Sequence, residues 1–77
     1  MRVLYYYVVT IIDQFNTKWL HGGTIDYPLP KTEDALRGLI FTILQRTKDS
    51  VREGDSLVVK DSIVTTLTEI ERRFTQD

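Results

Sequence analysis

The sequence predicts an α+β fold: a three-stranded antiparallel sheet, in element order β-β-α-β and sheet order 2-1-3, packed on one main helix. Three observations carry this. The first twelve residues are apolar or aromatic on both alternating faces. A single apolar stripe at helical spacing occupies the middle of the chain. β-branched residues return after it.

Residues 2–12 form the first strand, because Tyr, Val, Ile and Thr suit a pleated surface and nothing here caps a helix. A strand apolar on both sides calls for cover on both sides. Asp13 to Lys18 reads as a turn, with Asp13 and Asn16 as turn formers. Trp19–Tyr27 is the second strand. Gly22-Gly23 marks a bulge or a close backbone approach within it, and Pro28-Leu29-Pro30 ends it.

Thr32 is an N-cap, with Glu33 and Asp34 in the first turn where the helix dipole favours them. The helix then runs from 33 to 48, or on to Glu53 with Gly54 as terminator. Leu36, Leu39, Ile40, Ile43, Leu44, Thr47 and Val51 share one stripe, and Gly38 and Phe41 lie off it.

The last third has two readings. Leu57-Val58-Val59 and Ile63–Thr66 favour one long strand, bulged or broken at Lys60-Asp61-Ser62 and running into a short helical tail. Against that, Ile63, Leu67, Ile70 and Phe74 are spaced four, three and four, which suits a helix from Ser62 to Phe74. Placing the apolar first strand in the centre, between the other two, accounts for one of its faces through the helix stripe. The other face is left to a C-terminal helix or to another molecule.

Seventy-seven residues make one domain, 1–77. A chain of this size buries only about 60–65% of its unfolded surface. With no cysteine, neither a disulfide nor a thiolate metal site staples it, so association is a reasonable source of added stability. Ten Lys and Arg stand against eleven Asp and Glu, interspersed, for a formal net charge of −1. Nucleic-acid domains usually carry a basic surplus, which is missing here. Arg2 ahead of an apolar run suggests a signal peptide, but three tyrosines and no small-residue cleavage site argue against one. Val3–Ile12 is about half a membrane span. The expectation is a cytoplasmic protein with no membrane partner.

The functional reading is a non-enzymatic interaction module that binds a protein partner or a second copy of itself through an open sheet face. Tyr5, Tyr6, Tyr7, Trp19, His21 and Phe41 are the candidate interface, since Tyr and Trp combine an apolar body with a polar tip. The alternative is a nucleic-acid-associated protein, with sheet aromatics stacking on bases and Arg37, Arg46, Arg52, Arg72 and Arg73 on phosphates. No catalytic residue, cofactor or metal is expected. One histidine without cysteine needs several converging carboxylates to hold zinc. The glycines after His21 lie in a strand, not between a strand and a helix as a phosphate loop requires. No motif joins Ser50, Ser56 or Ser62 to His21, and Glu33/Asp34 and Glu69/Glu71 read as solvated.

The stretch His21–Pro30, an amphipathic helix, and then Ser62–Glu71 resemble, as a pattern, small phage- and prophage-encoded β-β-α-β proteins. That resemblance implies a bacterial or phage origin and action by binding a host factor. It transfers no catalytic residue.

Overall fold

The computed structural model describes residues 1–54 and 58–74. The elements are β1 (Arg2–Asp13), β2 (Lys18–Pro28), α1 (Glu33–Gly54) and β3 (Val59–Arg73). The sheet order is β2-β1-β3, and both pairings are antiparallel. The apolar strand is therefore central, as its composition requires.

Strand alternation splits β1 into two rows. Val3, Tyr5, Tyr7, Val9, Ile11 and Asp13 are buried under α1. The even residues between them are half-buried, apart from the exposed Tyr6. The core joins this odd row to Ile25 of β2 and to Leu39 and Ile43 of α1. Tyr27, Leu44, Val51, Val59, Val64 and Leu67 pack around its edge. Fully burying side chains such as Leu39 and Ile43 stabilises by about 1.5–3 kcal/mol each.

β1 and β2 are joined by the four residues 14–17. Asn16 N–H donates to Asp13 C=O (3.0 Å), and Asp13 N–H donates to Thr17 C=O (3.1 Å). Asn16 takes φ 60°, a left-handed position that asparagine tolerates better than most residues. The Asp13 carboxylate, on a residue only 2% exposed, organises the loop. Its Oδ1 accepts the N–H groups of Phe15 (2.8 Å) and Thr17 (2.9 Å), and its Oδ2 accepts Trp19 Nε1–H (2.8 Å). The Trp19 bond and then the two backbone N–H donors favour the ionised form and hold the Asp13 pKa below its ordinary value of 3.8, against the opposing pull of burial. Because the folded pKa is depressed, this stabilisation is present above the ordinary pKa. It is lost as pH falls through the lower folded value. Asp13→Asn should therefore be less stable than the parent at neutral pH. Its urea midpoint should also fall less on acidification. Parallel acid limbs in the two proteins would contradict this.

The loop is tied to the start of β3. Gln14 Oε1 accepts Val58 N–H (3.1 Å), and Lys60 Nζ donates to Asn16 Oδ1 (3.0 Å).

β2 pairs with β1 without a register shift, so Gly22-Gly23 is not a bulge. It is a close approach on both faces. Gly23 sits opposite Tyr7, and a Cβ at Gly23 would stand 2.6 Å from Tyr7 Oη and 2.8 Å from Cζ. On the other face a Cβ at Gly22 would stand 3.2 Å from Tyr6 Oη. Each glycine lies beneath one tyrosine ring.

The expected N-cap is present, with Thr32 Oγ1 accepting Ala35 N–H (3.1 Å). The helix runs to Gly54, the longer of the two expected ends. Two stripe assignments change. Leu36, expected on the buried stripe, is exposed. Gly38, expected off it, is half-buried, with its α-carbon side toward Tyr27 Oη. The helix is therefore turned so that Gly38 meets β2, while Leu44 and Val51 join the core rim with the β3 residues. Thr42 and Thr47 sit in helical positions by donating their hydroxyls back to Gly38 and Ile43 C=O (2.8 and 2.9 Å).

Among the described residues neither a helical tail nor the helix over Ser62–Phe74 forms: β3 is one strand to Arg73. Fifteen residues of β3 lie against twelve of β1. The three extra residues are taken up at register shifts beside Lys60, Thr65 and Ile70. The first is the bulge expected near Lys60. Of the strand residues expected before it, Leu57 lies outside the described residues and Val58 precedes β3.

Candidate interaction face

With α1 on the odd side of the sheet, the even side has no element over it among the described residues. Alternation and register place Leu4, Tyr6, Val8, Thr10 and Ile12 down the centre of this face. Thr10 is flanked by Leu20 of β2 and Ile63 of β3, which are 76% and 60% exposed. Tyr6, 43% exposed, lies between Thr24 and Thr68. Threonines fill the β3 side, and the bulged Thr65 turns its hydroxyl inward. Its Oγ1 lies 3.2 Å from Thr10 Oγ1 and donates to Val8 C=O (3.3 Å).

The Arg2 end of the face is charged. Arg2 Nε donates to Asp26 Oδ1 (2.6 Å), and Arg73 Nη1 donates to Asp26 Oδ2 (3.2 Å). One carboxylate of the edge strand β2 thus bridges two guanidinium groups, one from β1 and one from β3. At the opposite end Lys18 and Asp61 flank Ile12. The result is a mixed band of aliphatic, aromatic and hydroxyl groups between two charged ends.

The candidate interface residues do not converge. Tyr5 and Tyr7 are core residues under the helix, and of the three tyrosines only Tyr6 is on the open face. Trp19 and His21 stand opposite Ile11 and Val9 and so belong to the helix side of the sheet. Phe41 lies on the outer side of α1, 68% exposed. Residues not singled out from the sequence, namely Leu4, Val8, Ile12, Leu20 and Ile63, make up most of the open face. Hairpin parity is the signal that identifies them.

The arginines are equally dispersed. Arg37 pairs with Glu33 (2.8 Å) and Asp34 (3.8 Å) on the helix. Arg72 pairs through Nε with Glu69, with a second bond from Nη2 (3.2 Å). Arg73 is on Asp26, with Glu71 at 3.8 Å. Arg46 is exposed on α1, and the Arg52 side chain lies outside the described residues.

The hydrogen bond from Arg72 lowers the Glu69 pKa, so Glu69 is more than a solvated carboxylate. Burial first, then the Glu69 charge, raises the Tyr5 phenol pKa. Among the described residues no group of three or more His, Asp or Glu side chains is placed to hold a metal ion, and no helix is long and apolar enough to cross a membrane. No protein-family model, curated protein or solved structure matches the chain.

Proposed function

We propose that this chain is a non-enzymatic interaction module whose working surface is the even face of the sheet, which binds a protein partner or a second copy of the chain. One observation carries the reading. Among the described residues a central strand apolar on both sides has a helix over one side only, and Leu20 and Ile63 are left prominent on the other. Apolar groups gathered on one surface and framed by charge are the pattern of a protein-binding patch. Arg37, Arg72 and Arg73 already hold carboxylates, so a phosphate would have to displace those partners.

A photo-reactive phenylalanine in place of Tyr6 tests the reading, with the same group in place of Phe41 as the control. The position-6 protein should give discrete cross-linked adducts, with itself at high concentration or with a component of a bacterial lysate. Ile63→Glu should suppress them at least about tenfold, the effect of removing a central interface contact. Equal adducts from positions 6 and 41, or adducts indifferent to Ile63→Glu, would overturn it.

A further inference from the structure

We propose that the outer edge of β2 pairs antiparallel with β2 of a second copy, about a two-fold axis at Gly22, to make one continuous six-stranded sheet from two three-stranded ones. This goes beyond the face reading and does not depend on it.

The sheet order leaves β2 and β3 as its two edges. They differ sharply. β3 carries three register shifts and a run of charge from Glu69 to Arg73, features that resist strand addition. β2 has no shift across its whole pairing with β1. The outward-pointing groups follow from the ladder. Asp13 N–H bonds Thr17 C=O, and Leu29 N–H bonds Met1 C=O at the opposite end. The odd residues of β2 between them therefore exchange hydrogen bonds with β1. The N–H groups of Lys18, Leu20, Gly22, Thr24 and Asp26 and the C=O groups of the first four point away from the sheet, the Asp26 C=O already accepts from Arg2 Nη2 (3.2 Å), and no proline interrupts the row.

Strand length and proline select the register. With Gly22 on the axis all five outward residues pair: Lys18 with the partner's Asp26, whose carboxylate already holds Arg2 and Arg73, and Leu20 with the partner's Thr24. Centring on Gly23 instead puts Pro28, which has no N–H, opposite Lys18, and sets Leu20 against Asp26. Centring on His21 leaves Asp26 beyond the paired segment. Only the Gly22 register pairs all five outward residues and keeps Pro28 outside the ladder. It also sets Trp19, 48% exposed, beside the partner's Ile25 on the helix side.

Amide hydrogen exchange by NMR, with sedimentation equilibrium on the same samples, tests this directly. From low micromolar to millimolar concentration the amides of residues 18, 20, 22, 24 and 26 should slow, about tenfold once nine-tenths of the chain is dimeric. The odd amides, already bonded to β1, should change little. Thr24→Pro removes one outward donor and should abolish the dimer. The slowing of the even amides in the parent protein, which needs no substitution, covers the case in which the proline variant does not fold. Ile63→Glu, on the far side of the open face, should leave it intact. A monomer at millimolar concentration overturns the proposal. So does a dimer with fast even amides that is lost in Ile63→Glu, a result that would leave the face reading standing.

Discussion

Ile43→Ala is expected to lower the unfolding free energy by about 2–5 kcal/mol, seen as a drop in the urea midpoint. Ile43 is fully buried, one helical turn from the equally buried Leu39, and these two are the only fully buried apolar side chains of α1 among the described residues. A domain of this length has in total about 4–12 kcal/mol of stability. A single cavity here therefore removes a large share of it, and a partly unfolded variant is the natural outcome. Phe41→Ala, two residues away but on the outer side of the helix, should stay within about 0.5 kcal/mol. A loss below about 1 kcal/mol for Ile43→Ala would mean that α1 is not seated on the odd row of β1.

Gly23→Ala should be the second most damaging change, by about 1–3 kcal/mol, even though alanine is ordinarily the better strand residue. The added methyl would fall 2.6 Å from Tyr7 Oη and 2.8 Å from Cζ, on a ring that is buried and has little room to swing. Gly22→Ala makes the same chemical change one residue earlier. Its methyl meets only the end of the exposed Tyr6 side chain, which can move aside into solvent. That variant should be near neutral. A double-mutant cycle with Tyr7→Leu sharpens the contrast: the cost of Gly23→Ala should shrink once the ring is gone. Equal costs at the two glycines would show that contact with the buried Tyr7 ring does not set the effect.

The architecture was legible because composition and period agreed for three of the four elements. Strand parity in β1, the Thr32 cap and the Leu39–Ile43 spacing all pointed to the structure that forms. The last element misled for a physical reason. Its register shifts fall beside Lys60, Thr65 and Ile70, so residues sharing a face are separated alternately by two and three positions. Val59, Ser62, Val64, Leu67 and Glu69 follow one another this way. The residues traced at helical spacing do not share a face: Ile63 lies beside Thr10 on the open side, Leu67 beside Tyr7 on the helix side, and Ile70 at a bulge. The candidate site was less legible. Three successive tyrosines look like one aromatic surface, yet a pleated strand must send the middle one to the opposite side from its neighbours. Grouping residues by type rather than by parity placed Tyr5 and Tyr7 on a surface from which the fold withdraws them, and it missed Leu20 and Ile63.

The bulges of β3 also bear on how far such a sheet can grow. An antiparallel ribbon with two smooth edges has no natural end, because each added copy presents a fresh edge to the next, and the product is a filament. Here one edge is regular and the other is broken every five residues. Once the regular edges of two copies have met, only broken ones face outward. Assembly through β2 would therefore be closed and stop at two. On this view the irregularity of β3 sets an upper limit on the size of the particle.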